Sequence, residues 1–519
     1  MLFDKGRRNN YFYAILLFFL CVILYSATNY GGVRSPDGEV VFRAGEAFSQ
    51  AKLAVESQLP WEGFGLPRGL DGRRYSLFGP TESILLVPFI KIAKMINKTE
   101  WYHHEAINIP LSFYIDDGLF KFITNQKPDV LKKQAHALRT ICSWFNVIVC
   151  ALVVMVFFLI TEQMTSSLES AFIVSIILAF GTLLWPYSGT FFSEPLSILF
   201  ILISFYYLVQ NDKSVIVSAS PPAYKNLVYS GIFIGLSFTT HVSAILFFPF
   251  FLLYALYPYY EGVHKLQRFC YPVICFCIGF GVFIILQMYY NYIRFGDIFE
   301  VGRRAEIVYS HFIYPWRSLY GLLFSAGKGL LFYNPIILLG ILCWYSFYKK
   351  HKFLAIIFIF VIFFRVLFIA SRSNWHGGFC LGPRHLLMII PFFLLPIGYW
   401  VKEKIQSSDY GIGLPAAIGF VFACMIQQIY FCIGEIFTFL HMIKLVFWNH
   451  GFDVFKNDWI YFTWKYSALY KLLEINKRGP FLLQHFSMNH YIFFFCCSLL
   501  FVSLMISIGY CLLKRRQKI

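Results

Sequence analysis

Ser35-Pro36-Asp37-Gly38-Glu39 sets two carboxylates two residues apart, just past the end of the first long apolar run of the chain. A carboxylate held at a membrane surface can take a proton from a hydroxyl, the general-base step that group transfer to an alcohol requires. Complementarity to a helix dipole also accounts for an acid in a first helical turn, so a catalytic Asp37 needs burial or a neighbouring carboxylate such as Glu39. The remaining residues of chemical interest are mostly cations. The turn from Ser371 to Arg384 reads Ser-Arg-Ser-Asn-Trp-His-Gly-Gly-Phe-Cys-Leu-Gly-Pro-Arg and carries Arg372, Trp375, His376 and Arg384. Arg365 precedes Arg372 by two helical turns, within an apolar span and on nearly the same face. Lys328 lies in Ser325-Ala-Gly-Lys-Gly-Leu, where flanking glycines let backbone approach a phosphate closely. Cations so placed suit an anionic group; snorkelling to lipid headgroups is the ordinary alternative for each of them.

Weaker signals surround these. Asp71-Gly72-Arg73-Arg74-Tyr75 offers donors to a phosphate or a sugar, although Asp-Gly is also a common turn pair. Glu194, in Phe-Phe-Ser-Glu-Pro, reads as a substrate contact or simply as a helix start. His241, between two spans, is expected to hydrogen-bond a carbonyl. His103, His104 and Glu105 are adjacent rather than one turn apart, which argues against zinc. No cofactor is assigned, and metal assistance is left open. The thirteen cysteines fall mostly inside apolar runs without CxxC pairing, as small lipophilic residues.

These residues must be positioned by membrane helices. The chain has 519 residues, 58% apolar and 14% charged, with a mean hydropathy of +0.62, which excludes an ordinary soluble domain. Its net charge of +17 lies largely at span ends, so nucleic acid is not the expected partner. Apolar runs of spanning length occur at 11–28, 137–160, 169–187, 193–210, 226–240, 242–259, 270–290, 333–347, 353–371, 385–401, 411–433 and 491–513, which predicts an all-α polytopic membrane protein of about twelve spans, the first a retained signal anchor. Lys5/Arg7/Arg8, Lys213/Lys225, Lys265/Arg268, Lys349/Lys350/Lys352, Lys402/Lys404 and the Lys514–Lys518 cluster all fall on one side. The positive-inside rule makes that side cytoplasmic, with both termini there. Loop 29–136, the 188–195 turn, the 291–332 loop, the 371–384 turn and the 434–490 segment then share the extracytoplasmic face. Within the first loop Ser35 can cap a helix, Pro36 fits its first position, and Val40, Val41, Ala44, Ala47, Phe48, Ala51 and Ala54 form one apolar, interfacial stripe. The chain divides into a multi-span core, 1–433, an interfacial segment, 434–490, and a last span with a basic tail, 491–519.

Together the motifs resemble the GT-C superfamily of membrane glycosyltransferases. The resemblance runs through Ser-Pro-Asp-Gly in loop one, Asp-Gly-Arg-Arg-Tyr-Ser-Leu-Phe-Gly-Pro at 71–80, Tyr-Ser-Gly-Thr-Phe-Phe-Ser-Glu-Pro at 187–195, Asn291-Tyr-Ile-Arg-Phe-Gly-Asp, Ser325-Ala-Gly-Lys-Gly-Leu-Leu-Phe-Tyr-Asn-Pro and Trp375-His-Gly-Gly-Phe-Cys-Leu-Gly-Pro-Arg-His. It implies a polyprenyl-phosphate sugar donor, an extracytoplasmic glycan acceptor, inversion, and an acidic base in loop one, here Asp37. The doubled acid of many members is replaced by Asp37-Gly38-Glu39, which leaves Glu39 as the other candidate. Lys328, Arg372, Arg384, Arg365 and His376 are expected at the donor phosphate, and Asp71, Arg73, Arg74, Tyr75, Glu194 and Trp375 at the substrate. Without a soluble C-terminal domain, acceptor recognition is left to loop one and segment 434–490. In style the chain is similar to bacterial inner-membrane enzymes that modify O-antigen in lipopolysaccharide. A lipid-linked glycan polymerase or ligase shares this chemistry; a flippase fits less well because the halves do not repeat and the charges gather at one face.

Overall fold

The computed structural model describes residues 5–33, 35–55, 65–96, 138–217, 224–260, 267–302, 311–378, 380–407, 413–434, 436, 439–440, 443 and 458–475. Among them the only extended pairings are isolated bridges, Arg68 with Arg74 and Phe312 with Arg372, so the all-α expectation holds. Eight helices are long and apolar enough to cross a membrane. Several expected spans take other forms. Span 169–187 divides at Gly181 into Leu168–Phe180 and Leu184–Ser188, and 333–347 breaks into short helices around Pro335 and Cys343. Span 226–240 is the 17-residue helix Tyr224–Thr240, followed directly by a 3₁₀ turn, Val242–Phe247. The last span, His103, His104, Glu105 and most of segment 434–490 lie outside the described residues.

The Trp144–Thr165 helix is apolar all round and buried on most of its surface, as a helix surrounded by others must be. It packs against Lys5–Ala27, Glu194–Val217 and Leu168–Phe180. A second close pair joins Tyr224–Thr240 to Gln267–Phe295. A Cβ added at Gly231 would lie 2.1 Å from the Phe276 carbonyl oxygen, and one at Gly279 2.3 Å from that of Val228, so backbones meet where side chains are smallest.

The first-loop helix runs Pro36–Ser49 with Pro36 at its start, and the Ser35 Oγ accepts the Gly38 N–H at 3.1 Å, which is the capping read from the sequence. It ends earlier than the apolar stripe suggested. Ala51, at φ +57°, lies past the turn-off, and so does Ala54. Val40, Val41, Ala44 and Ala47 are buried, and the helix packs on Pro80–Ile96, where Ser83 Oγ donates to the Val41 carbonyl at 2.9 Å.

Candidate functional site

Asp37 stands one residue into that helix because the Ser35 cap and Pro36 fix where it begins. Gly38 is what lets the turn sit down: a Cβ there would be 2.9 Å from both the Cβ and the carbonyl oxygen of Phe191. Gly38→Ala is therefore expected to cost about 1–3 kcal/mol by overpacking and to displace Asp37; a thermal melt paired with an activity assay checks both.

Asp37 meets a residue almost 350 positions later in sequence. Its Oδ2 lies 2.6 Å from Arg384 Nη1, and the same guanidinium's Nε lies 3.6 Å from Glu194 Oε1. Glu194 Oε1 also faces His385 Nδ1 at 3.3 Å and His241 Nε2 at 4.0 Å. Loop one, the turn before Glu194 and the 371–384 turn therefore share one end of the bundle, as a common active face requires. Arg384 lies over the Phe192 ring at 4.5 Å. Three hydrogen bonds position the Glu194 segment: Asn146 Nδ2 donates to the Thr190 and Phe192 carbonyls, and the Tyr187 hydroxyl donates to the Leu381 carbonyl at 2.7 Å.

The two acids of loop one are in different circumstances. Glu39 is buried and held bidentately by Arg139, at 2.6 and 2.9 Å, and by Arg43 at 2.7 Å. Burial pushes its carboxyl up, but the two guanidiniums outweigh burial and hold it at about 2. That depression contributes stability that is present above the ordinary value of 4.5 and is lost as pH falls towards about 2. Glu39→Gln is expected to remove about 3 kcal/mol at neutral pH and to flatten the acid limb of the melting temperature, as thermal melts over that window would show. Asp37 keeps partial exposure, 20% of its side chain, beside Arg384.

The expected phosphate contacts divide. Lys328 is buried, and its Nζ donates to the carbonyls of Gly378 and Cys380 and to Cys380 Sγ, at 3.1, 2.8 and 3.1 Å. All three of its hydrogens hold the 376–380 turn, and burial lowers its pKa. Gly377, at φ +71°, turns the chain so closely that a Cβ would meet Arg384 Cγ at 3.0 Å, so this turn also shapes the site. Arg365 is likewise engaged by protein: it donates twice to the His385 carbonyl and to the Ser243 carbonyl and Oγ. Arg372 lies over the Phe312 ring. His376 stacks on Tyr461, accepts the Gly378 N–H at Nδ1, and is lowered to about 3 by burial and then by Lys328.

Of the expected substrate contacts, Glu194 enters the cluster and Trp375 does not; it is 2% exposed, packed on Tyr461, Phe462 and Gly321. Asp71, Arg73, Arg74 and Tyr75 form a separate tight turn. Tyr75 donates to Asp71 Oδ2 at 2.7 Å, which holds that carboxyl below its usual value, and its ring packs on Phe295. The turn is tied down by Arg294, whose Nη1 donates to the Ser76 carbonyl, while Gly69 packs on the Arg294 backbone. Sequence reasoning did not single out His385, Arg139 or Arg294. His385 adjoins Arg384 in one quoted motif and Arg294 lies inside another, Asn291-Tyr-Ile-Arg-Phe-Gly-Asp, but Arg139 carried no local signal.

Fold and site thus define a multi-span helical membrane protein with an acid–guanidinium–imidazole cluster built from distant loops. Residues 87–299 match the model of the dolichyl-phosphate-mannose-protein mannosyltransferase family, which bears out the resemblance to GT-C glycosyltransferases read from the motifs. A comparison with curated protein sequences gave no match. Among solved structures, the chain is similar to apo ArnT from Cupriavidus metallidurans at 10% identity and a TM-score of 0.46, covering 76% of this chain and 62% of that one. ArnT bound to undecaprenyl phosphate aligns at 11% identity and a TM-score of 0.45, covering 89% and 78%. The archaeal oligosaccharyltransferase AglB from Archaeoglobus fulgidus, in complex with an inhibitory peptide and a dolichol-phosphate, aligns at 10% identity and a TM-score of 0.43, covering 83% and 55%. The chain thus spans less than two thirds of the length of apo ArnT and of AglB.

Proposed function

We propose that this chain is an integral-membrane glycosyltransferase that moves a sugar from a polyprenyl-phosphate donor to a hydroxyl of a glycan or lipid-linked glycan acceptor. One observation carries the reading: Asp37, from the first loop, and Glu194, from the second, converge on Arg384. The family description, which names a dolichyl-phosphate sugar, supports the donor class.

In the proposed reaction Asp37 accepts the proton of the acceptor hydroxyl as its oxygen attacks the anomeric carbon. The bond from that carbon to the phosphate oxygen breaks on the opposite face, so configuration inverts. Negative charge gathers on the departing lipid phosphate, where Arg384 is the cation at hand. At rest Arg384 is paired with Asp37; an arriving phosphate competes for the guanidinium and leaves the carboxylate free to act as base. Glu39 serves as the electrostatic anchor of the helix that carries Asp37. Beside the site a cleft is lined by Lys328, Cys380, Phe439, Leu440, Ile443 and Tyr461, a mostly apolar wall that suits an isoprenoid chain next to its phosphate. Modification of O-antigen or another surface polysaccharide at a bacterial inner membrane is the setting we assign.

Membranes containing wild type, Asp37→Asn or Glu39→Gln, supplied with polyprenyl-phosphate sugars, test the assignment. Loss of transfer in Asp37→Asn with retention per folded molecule in Glu39→Gln supports it; equal rates in Asp37→Asn and wild type refute it. A polymerase or ligase would instead consume an oligosaccharide on a lipid pyrophosphate.

A further inference from the structure

The end of the bundle away from Asp37 carries an arrangement of charge and apolar surface that sugar transfer does not use. The helices Ile337–Leu342 and Trp344–Lys350 lead to His351, where the chain reverses into Lys352–Ala370. Lys352 opens that last helix, and Arg365, which holds the His385 carbonyl, lies about 20 Å further along it, so the reversal is remote from Arg384. Before the reversal Leu338, Leu342, Tyr345 and Lys349 follow one another at steps of four, three and four; after it Lys352, Ile356, Ile359 and Phe363 repeat those steps. Each set is one face of a helix. All of these side chains are exposed except Ile356, which is half-buried. Two outward apolar rows, each about 16 Å long, therefore start from a single turn, and a lysine stands at the head of each.

The lysines at this end fall into two groups. Glu403, from the neighbouring helix Ile390–Ser407, is taken by Lys350 at 2.9 Å, and Lys402 of the same helix donates to the Thr165 carbonyl. Lys349 and Lys352 form no ion pair among the described residues. Lys349 instead lies over the Tyr345 ring, 4.4 Å from its centre, where the apolar row gives way to charge, the place a tyrosine takes at a membrane–water interface. The chain between Lys349 and Lys352 keeps their Cα atoms within about 10 Å of each other. Two ammonium groups on flexible stems can thus close on one phosphate.

What covers the rows follows from their composition. Helices that meet inside a membrane do so at small residues, as Tyr224–Thr240 and Gln267–Phe295 do at Gly231 and Gly279. The two rows hold Leu, Ile, Phe and Tyr and no small residue. A second copy of the chain seated here about a twofold axis would present the same patch to itself, setting unpaired lysines against unpaired lysines. Acyl chains lie along such rows without either penalty, and basic clefts between helices take the anionic headgroups that go with them.

We infer that this end of the bundle binds an anionic diacyl phospholipid, with its phosphate between Lys349 and Lys352 and its two acyl chains along the Leu338–Tyr345 and Ile356–Phe363 rows. The inference stands apart from sugar transfer, and its test is read without donor or acceptor.

Full-length protein in detergent, washed free of co-purified lipid, is titrated with phosphatidylglycerol or phosphatidylcholine of identical acyl chains and followed by native mass spectrometry. Wild type is expected to hold phosphatidylglycerol about twentyfold more tightly than phosphatidylcholine, the contribution of two lysines beside a phosphate. Lys349→Gln combined with Lys352→Gln is expected to abolish that preference. Lys91→Gln combined with Lys225→Gln, the same charge change at exposed lysines elsewhere, is expected to leave it intact. Wild type also answers without any variant: phosphatidylglycerol, and neither phosphatidylcholine nor inorganic phosphate, is expected to slow acylation of Lys349 and Lys352 by an amine reagent relative to Lys91. The inference is overturned if wild type binds the two lipids alike, if the Lys349 and Lys352 double variant keeps the preference, or if the control pair loses it as well. Equal protection by inorganic phosphate alone would mark a free-anion site, and protection that tracks a dimer in the mass spectrum would mark a contact between copies; either result overturns it too.

Discussion

Asp37→Asn is expected to lower the rate of sugar transfer by about 10²–10⁴, the range for losing a positioned general base, with little change in the donor concentration needed for half-saturation. Asparagine keeps the size of the side chain and can still accept from Arg384 Nη1, now 2.6 Å from the carboxylate. Only proton acceptance is removed, so the fall belongs in kcat. Asp37→Glu should recover part of the rate, since the group is retained and misplaced by one methylene. A loss confined to KM would instead mark Asp37 as a binding residue. Steady-state kinetics on membranes, normalised to folded protein, separate these outcomes.

Arg384→Gln is expected to be as damaging, by two routes. Transition-state stabilisation of a departing phosphate by a preorganised cation is worth about 10²–10³ in rate. The same guanidinium also answers both Asp37 and Glu194, and removing one partner from a buried ionic network costs about 3–5 kcal/mol. Arg384→Lys separates the two: it keeps a charge but cannot present the fork that reaches both acids. Arg384→Lys is expected to restore much of the melting temperature and little of the rate. Full recovery of both would reduce Arg384 to a structural counter-ion.

What the sequence made legible follows from what is local. The Ser35 cap, Pro36 and Asp37 are read from five consecutive residues, because a helix start is decided by the groups that satisfy its first N–H donors. The all-α membrane architecture follows from long apolar runs. The unusual positive turn 371–384 pointed to Arg384, and the shared side of the loops placed it opposite Asp37.

Long-range pairing was not legible. Nothing near Glu39 shows that Arg139, a hundred residues on, makes it a buried ion pair, and so Asp37 and Glu39 could not be ranked. Lys328 and Arg365 read as ligands for phosphate because a sequence shows a charge and not the carbonyls that surround it. Trp375 read as a substrate contact, yet its ring fills the space left by Gly321. His241 was expected to meet a carbonyl; its partners are Ser243 Oγ and Glu194, and His385 drew no separate notice. Breaks in the expected spans had local causes, Gly181 and Pro335 among them, that hydropathy averages over.

The most direct test of the central claim is to follow a labelled sugar on a polyprenyl monophosphate in vesicles containing this protein and a glycan acceptor. In wild type the label is expected to leave the lipid and appear on the acceptor with inverted anomeric configuration, and in Asp37→Asn to stay on the lipid. Transfer at equal speed in both, or label that stays on the lipid in wild type with every monophosphate donor, would contradict it.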